Sequence, residues 1–425
     1  MKNFLLNSKD IQKNSFIWNM IGSMLMAFQS VIMLTILTRF LSLYDAGVFT
    51  IAYASANLFL NIGKYGMRNY QVSDVNRQSS FSDYLVSRIF TTFVMIIVSI
   101  VYVEIVSNTN DYSSTKSFTI FWMCLFKVVD SIEDVYLGMY QQENRLDVAG
   151  KILTIRMVIT IALFGICLVV TGNLLNSLII STIATSACLL YLIVITISNF
   201  PSAKWNLNFK SVLSLLSKSF PLFLGAFLAF YIGNAPKYAI DSQLSDELQA
   251  CYGFIAMPVF VIGLLNSFIF NPMIAKMSLQ WKEQDRASFF KSFKLQLVLI
   301  TAITFICEVG AFLLGIPVLS LLYNTDLSAY KNELLVLLLG GGFLALSGLL
   351  VTVITIIRFQ KSLALGYIFV SVMAYFLCPV FVKKYQLMGA SALYTILMVI
   401  LCLIFAFIFW IGCSSKHPKP SKQHT

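Results

Sequence analysis

Long apolar stretches separated by short polar breaks cover almost the whole chain. Twelve of these stretches are predominantly apolar over about 20 residues, the length that a helix needs to cross the hydrocarbon of a bilayer. Backbone groups in lipid must be paired within their own segment, and the stretches are too long for barrel strands. The pattern therefore predicts an all-α, polytopic membrane protein. The predicted spans are 15–38, 44–62, 84–106, 118–140, 153–171, 174–198, 214–236, 249–275, 293–315, 333–357, 362–381 and 386–412.

Composition agrees with lipid as the main solvent. Hydrophobic residues make up 58% of the chain and charged residues 12%, and the mean hydropathy is +0.81. A soluble domain is about half apolar and one quarter charged. The first span is too long for a signal peptide, contains Gln29 and Ser30, and is followed by Arg39 instead of a small-residue cleavage site. We therefore expect it to remain in the mature protein.

The basic residues predict the orientation of the spans. With the amino terminus in the cytoplasm, 23 of the 30 Lys and Arg residues fall in cytoplasmic segments. Such a bias sets the topology of membrane proteins and predicts that both termini are cytoplasmic. It also accounts for the net charge of +11 through contact with anionic lipid, so no nucleic-acid partner is indicated.

A polar linker at residues 199–210 predicts two six-helix halves, residues 1–205 and 206–412, followed by a cytoplasmic polar tail at 413–425. Halves with an even number of spans would run parallel, as in one class of transporter repeats. Weak internal similarity supports a repeat, because Glu104 and Glu308 lie 204 residues apart near the ends of the third and ninth spans. Both acids are more typical of the membrane interface than of a functional site.

Enzyme motifs are missing from the predicted spans. The two histidines, His417 and His424, lie in the polar tail, and none of the eight cysteines forms a CxxC pair. The glycine run at 340–342 lies in an apolar helix without the Lys-Ser/Thr of a phosphate-binding loop. The sequence therefore predicts no enzyme activity, no cofactor and no metal, and ATP is not the direct energy source.

The fourth span carries a group of charged residues that the other spans lack. Lys127, Asp130, Glu133 and Asp134 occur at helical spacings, so they are expected to face the bundle interior. Ionisable residues within a membrane are functional candidates because their desolvation is costly. The three acids could couple transport to a cation, or they could form a structural ion-pair network with Lys127; the sequence leaves both interpretations open.

Lys237 is the second candidate. It follows Pro236 at the predicted outer end of the seventh span, where a proline interrupts the helical hydrogen bonds. This combination suits a hinge beside an anion-binding residue, but a lysine that reaches the interface beside Asp241 is an equally good interpretation. Arg39 occupies the equivalent place at the outer end of the first span.

Short segments resemble bacterial polysaccharide flippases of the multidrug/oligosaccharidyl-lipid/polysaccharide exporter superfamily. These segments are LYDAGVF at 43–49, GMRNYQVSD at 66–74, FPLF at 220–223, NAPKYAID at 234–241, and the Asn271-Pro272 pair. The lipid II flippases of the same superfamily usually have fourteen spans, whereas the count here is twelve.

The resemblance implies a function and a location. It implies two six-helix halves around a V-shaped cavity that is partly lined by basic residues and opens alternately to each side. The implied substrate is an undecaprenyl-diphosphate-linked oligosaccharide in the bacterial cytoplasmic membrane, with a polysaccharide polymerase as a possible partner. Its anionic contacts would be Lys237, Arg68, Arg39 and Lys127, while Asp130, Glu133 and Asp134 would couple transport to a cation.

Two other functions remain open from the sequence. The acidic residues of the fourth span would suit a cation-coupled exporter of small molecules from the same superfamily. A polysaccharide polymerase is the third possibility. It would normally need sizeable external loops, and the longest predicted external segment here has only about a dozen residues.

Overall fold

The structure, a computed structural model, describes residues 1–74, 77–200 and 205–414, without the side chains at 267–272. Within these residues the regular structure consists of α-helices and short 3₁₀ and π segments. The α-helices are α1 (Lys2–Leu6), α2 (Ile11–Phe40), α3 (Leu43–Lys64), α4 (Met67–Ser73), α5 (Phe81–Thr109), α6 (Ser114–Gln142), α7 (Leu146–Thr171), α8 (Leu174–Ile197), α9 (Phe209–Gln243), α10 (Asp246–Lys282), α11 (Arg286–Gly310), α12 (Ile316–Tyr323), α13 (Lys331–Ile356) and α14 (Leu363–Ser414).

Each predicted span overlaps one of these helices, which confirms the all-α class. Ten helical stretches in the described part of the chain are long and apolar enough to cross a membrane. One of them contains α14, which has 52 residues and a non-helical residue, Gln386, at φ 51° and ψ −134°. This residue lies at the junction of the last two predicted spans, so α14 provides two crossings. With α6, which is long enough but strongly charged, the count is twelve.

Side-chain caps fix the starts of several spans. The hydroxyls of Ser42 and Ser80 accept hydrogen bonds from the backbone N–H groups of Asp45 and Asp83, respectively. In return, each aspartate carboxylate accepts a hydrogen bond from the backbone N–H of its serine. These capping boxes satisfy N–H groups that have no partner within the helix. At the end of α3, Tyr65 and Gly66 both adopt positive φ values, 51° and 63°, and turn the chain into α4.

The chain divides into two compact units, Met1–Phe230 and Tyr231–Thr425. The division falls within α9, downstream of the linker at which the sequence predicts the boundary of the halves. The boundary lies this far along the chain because the first part of α9 packs against the helices of the first unit. For example, Phe223 stacks on Tyr65 with ring centroids 4.6 Å apart. Assignment of residues 1–205 and 206–412 to two repeated halves stays a prediction.

In the first unit, α6 is the central helix. It packs against α3, α5, α7 and α8, while α2 lies along α7. The approach of α2 to α7 is close at Gly150, where a Cβ would lie 2.5 Å from the backbone nitrogen of Asn19. Side chains on α6 that face these neighbours are therefore removed from lipid.

The amino-terminal segment is bound to one end of the first unit. Lys151 on α7 donates hydrogen bonds to the carbonyl of Phe4 and to the hydroxyl of Ser8, both at 2.8 Å. Arg145 contacts the carbonyl of Leu6 and forms an ion pair with Asp147 at 2.9 Å. The basic side chains therefore bind carbonyl groups at the end of α1, which have no partner within the helix.

In the second unit, α13 packs against both α10 and α14. A π segment, Ala311–Gly315, joins α11 to α12, so the helical path continues to Tyr323, beyond the predicted end at residue 315. Glu308 consequently lies well inside this path, whereas Glu104 lies five residues before the end of α5 and is exposed.

Some predicted features fall outside the described residues. They are the tail from residue 415 onward, with both histidines, and Lys204 of the linker. The side chains of Asn271 and Pro272 are likewise outside the described part, although α10 includes both positions.

Candidate functional site

The charged face of α6 is buried in the first unit. Lys127, Asp130, Glu133 and Asp134 are all buried, as the spacing of the fourth span predicts. Because α6 is surrounded by other helices, their charges must be balanced by side chains from those helices.

Lys127 forms one end of this network. Its ammonium donates to the Asp130 carboxylate at 2.9 Å and to the Gln29 side-chain oxygen at 2.8 Å. The hydroxyl of Tyr53 lies 3.3 Å away, and the Tyr53 ring centroid lies 4.6 Å from the ammonium. The predicted neighbourhood of Lys127 and Asp130 is therefore observed, and α2 and α3 complete the surroundings of the lysine.

Arg156 on α7 pairs with two acids of α6. Its Nε donates to Glu133 at 2.7 Å, and its Nη2 contacts the second oxygen of the same carboxylate. The same Nη2 lies 2.9 Å from Asp130. This two-point arrangement matches the planar guanidinium to the carboxylate, which is the strongest geometry for such pairs.

Asp134 pairs with one buried arginine and one partly exposed arginine. Arg88 on α5 donates to Asp134 at 2.8 Å and to the carbonyl of Gly63 at 2.9 Å. On the other side of Asp134, Arg68 on α4 lies 3.5 Å away and donates to Gln141 at 3.1 Å. The side chain of Arg68 remains 30% exposed. Asp134 and Gln141 thus hold an accessible guanidinium in a defined position.

Basic residues outnumber acidic residues in this network. The acids are Asp130, Glu133 and Asp134, and the contacting bases are Lys127, Arg88, Arg156 and Arg68. Lys64, at the end of α3, acts electrostatically on Asp130 and Glu133 as well. Five bases against three acids leave a net charge of +2, and the two partly exposed bases, Lys64 and Arg68, can present it to a ligand.

The pairing favours the ion-pair alternative that the sequence left open for the α6 acids. An arginine stays protonated in proteins, so Glu133 and Asp134 each have a permanent positive partner. Cation coupling by Asp130, Glu133 and Asp134 stays a prediction.

Lys237 belongs to the second unit. Helix α9 continues through Pro236 and ends at Gln243, so Lys237 lies within the helix, six residues before its end. Its side chain is half-buried, and among the described residues no hydrogen-bonding or acidic partner contacts it. The rings of Tyr231 and Tyr238 stack nearby on the same helix, with centroids 6.0 Å apart.

Arg39 is separate from the network. It lies in the last turn of α2 and is exposed. Gln29, which binds Lys127, is ten residues earlier on the same helix, and a helix rises 1.5 Å for each residue, so the two positions are about 15 Å apart. The structure therefore places Lys127 beside Asp130 and Arg68 beside Asp134, both acids of α6, and leaves Arg39 apart from them.

Arg88 and Arg156 are the residues that sequence reasoning missed. Both are among the 23 basic residues that the charge bias assigns to cytoplasmic segments, but the structure buries them within α5 and α7. The sequence does contain an indication of their role. Three acids and only one lysine on α6 need further bases from neighbouring helices to balance their charge. In addition, Arg156 lies ten residues after the start of its helix, which is deep for an interfacial residue.

Metal ligands do not accumulate near this network. Within the residues that the structure describes, no group of three His, Cys, Asp or Glu side chains could hold a metal ion.

Comparisons with known proteins identify similar sequences and folds. The family model described as polysaccharide biosynthesis protein matches residues 13–278. The capsular polysaccharide biosynthesis protein CapF of Staphylococcus aureus is 22% identical over 395 residues, covering 90% of this chain and 95% of CapF.

Two solved transporter structures share the fold. The lipid II flippase MurJ in an inward closed conformation aligns with a TM-score of 0.67 and 16% identity, over 93% of this chain and 86% of MurJ. The MATE multidrug transporter DinF-BH also gives a TM-score of 0.67, with 14% identity and 96% coverage of both chains. This chain therefore has the same fold as these two transporters.

Proposed function

Because the chain belongs to the polysaccharide biosynthesis protein family, we propose that it is a flippase for lipid-linked oligosaccharides. It moves undecaprenyl-diphosphate-linked repeat units across the bacterial cytoplasmic membrane for surface polysaccharide assembly, by alternating access. Similarity to CapF along nearly the whole chain supports a role in capsule-type pathways.

The excess positive charge of the network around α6 carries this proposal. A lipid-linked oligosaccharide has an anionic diphosphate, which is costly to move through a medium of low dielectric constant. Arg68 offers a planar guanidinium that can bind phosphate oxygens at two points, and Asp134 and Gln141 hold it in place. Lys64 adds a second positive charge nearby.

In this proposal Lys237, in the second unit, contacts the diphosphate at a later stage of transport than Arg68. A half-buried ammonium without a paired carboxylate among the described residues has donors available for phosphate oxygens. Lys127 would act through the electrostatic field, because its donors already bind Asp130 and Gln29. Arg39, at the far end of α2, would meet the diphosphate at another stage of transport.

A second candidate is cation-coupled export of small molecules. The fold shared with MATE multidrug transporters favours it. In that case Asp130, Glu133 or Asp134 would exchange a partner for a cation during transport. The buried arginine partners of Glu133 and Asp134 make the flippase the better supported function.

Deletion of the gene followed by analysis of lipid-linked intermediates tests the proposal. We expect undecaprenyl-linked repeat units to accumulate on the cytoplasmic side, with loss of the surface glycan. Hypersensitivity to drugs with a normal glycan would favour the exporter instead. Flipped but unpolymerised units would indicate a polymerase and would contradict the flippase.

Cysteine labelling tests the orientation that the basic residues predict. Cysteines placed at Gln78 and Glu283, both exposed, should react with a membrane-impermeant maleimide only after the cytoplasm is opened. A cysteine at Ser114, exposed in the first turn of α6, should react in intact cells. The eight native cysteines are first replaced by serine. Labelling of Gln78→Cys in intact cells would reverse the assigned orientation.

A further inference from the structure

A row of aromatic side chains runs along one face of α9 within the first unit. Phe220, Phe223 and Phe227 are spaced three and four residues apart, which places them on one side of the helix. The ring centroid of Phe223 lies 6.1 Å from that of Phe220 and 5.8 Å from that of Phe227. The three rings form a continuous apolar strip, here called the α9 ring row.

The turn between α3 and α4 fixes the place of the α9 ring row. Tyr65 stacks on Phe223 with an angle of 10° between the ring planes. The next residue, Gly66, has φ 63°, and a Cβ there would lie 2.9 Å from the Cβ of Leu222. A larger residue at Gly66 would push α9 away and break the stack. The ring row is therefore held against a turn that lies two residues before Arg68.

Basic side chains flank the α9 ring row. Arg68 lies two residues after Gly66, in the first turn of α4. Lys218 lies two residues before Phe220 on α9, with its ammonium 5.9 Å from the ring centroid of Tyr70. An anionic group bound at Arg68 or Lys218 would thus lie next to apolar rings.

The ring row is also open to lipid. Phe220 is 48% exposed, and Phe223 and Phe227 are half-buried. Only 17% of the apolar window of α9 is buried inside the protein, so most of the surface of this helix is available for contact with lipid. A lipid chain can therefore reach the rings from the hydrocarbon without entering the protein interior.

We propose that the α9 ring row binds the isoprene units next to the phosphate of a polyprenyl phosphate lipid, while Arg68 and Lys218 bind its phosphate. This inference rests on the proposed flippase function, since it names the lipid half of the substrate. A lipid with an anionic head group fits this place because Arg68 and Lys218, which flank the rings, carry the opposite charge.

The chemistry of the chain distinguishes an isoprenoid from an ordinary acyl lipid. Each isoprene unit carries a double bond and a methyl branch, and both make favourable contacts with aromatic faces. A straight acyl chain lacks these regularly repeated groups. The ring row therefore provides a preference for the carrier lipid over the far more abundant phospholipids.

Lipid binding by the purified full-length protein tests this inference. The probes are undecaprenyl phosphate and dioleoyl phosphatidic acid, which share a phosphate but differ in their chains, and binding is measured by native mass spectrometry. We expect wild type to prefer undecaprenyl phosphate by about tenfold, because each aromatic contact contributes a few-fold. Phe220→Leu/Phe227→Leu should reduce the preference to about twofold, and it keeps the stack of Phe223 on Tyr65 intact.

Two control variants test whether the lipid preference depends on the α9 ring row itself, and not on exposed aromatic rings elsewhere or on binding of the phosphate. Phe305→Leu/Phe312→Leu removes two rings of α11 and the π segment that are 67% and 55% exposed, and it should leave the preference unchanged. Arg68→Ala should weaken binding of both lipids about equally, because both carry the phosphate.

Equal affinity of wild type for the two lipids would overturn the inference, and so would an unchanged preference in Phe220→Leu/Phe227→Leu. Either result would mean that ordinary acyl lipid covers the row. Failure of the flippase function gives a different result. In that case the deletion strain would not accumulate lipid-linked repeat units on the cytoplasmic side, whatever the lipid preference of the purified protein.

Discussion

Replacement of Arg156 by alanine is expected to lower the stability of the membrane-inserted protein by about 3–5 kcal/mol. The change leaves Glu133 buried without its two-point partner and removes one of the two bases that contact Asp130. Thermal unfolding of the purified variant, followed by fluorescence-detected size exclusion, measures the loss. We also expect the amount of protein in the membrane to fall severalfold.

Two matched variants identify the cause of this loss. Arg77→Ala breaks a pair with Glu143 whose arginine side chain is 55% exposed, so it should cost about 0–1 kcal/mol. Arg156→Met/Glu133→Leu removes one charge of each sign and should recover much of the stability lost in Arg156→Ala. Wild-type stability of Arg156→Ala would contradict the assignment of these acids to a structural network.

Loss of the two proposed diphosphate contacts should have the largest effect on transport. Lys237→Ala and Arg68→Ala should each reduce flipping about tenfold or more, because each removes a charge-assisted hydrogen bond to phosphate. Lys237→Arg should retain much more activity, since it keeps the positive charge. Arg68→Lys should be tolerated less well than Lys237→Arg, because lysine lacks the planar guanidinium. Lipid-linked intermediates and surface glycan measure the effect in cells.

Arg77→Ala serves again as the control, since it removes an exposed arginine from the same end of the first unit. It should leave glycan output unchanged. Protein levels are measured in parallel, so that a loss of transport is separated from a loss of folding. Normal glycan and normal intermediate levels in the Lys237→Ala/Arg68→Ala double variant would discard both contacts.

The helices could be predicted from the sequence because their length is set by the bilayer. Each predicted apolar stretch overlaps a helix, and α6 was recognised despite its charges. Length alone did not reveal the short α1, the π segment at Ala311–Gly315 or the exact course of α9 past Pro236. These features depend on tertiary packing, which a hydropathy pattern does not contain.

The candidate site could be predicted only in part for the same reason. Helical spacing places Lys127 beside Asp130, and the structure shows that contact at 2.9 Å. The pairing of Arg156 with Glu133 joins residues 23 positions apart on different helices. No local spacing predicts such a pair. Arg68 was identified through a family segment, whereas its contact with Asp134 required the fold.

The charged face of α6 also has a consequence for biogenesis. A charged residue near the centre of a helix costs about 2.5–3.5 kcal/mol when the translocon releases that helix into lipid. With Lys127, Asp130, Glu133 and Asp134, α6 would be released poorly as a single segment. Arg88 arrives before it on α5 and Arg156 after it on α7, and both neutralise its acids. Ribosome-bound chains should therefore retain α6 at the translocon until α7 has emerged, and the three helices should enter the bilayer together.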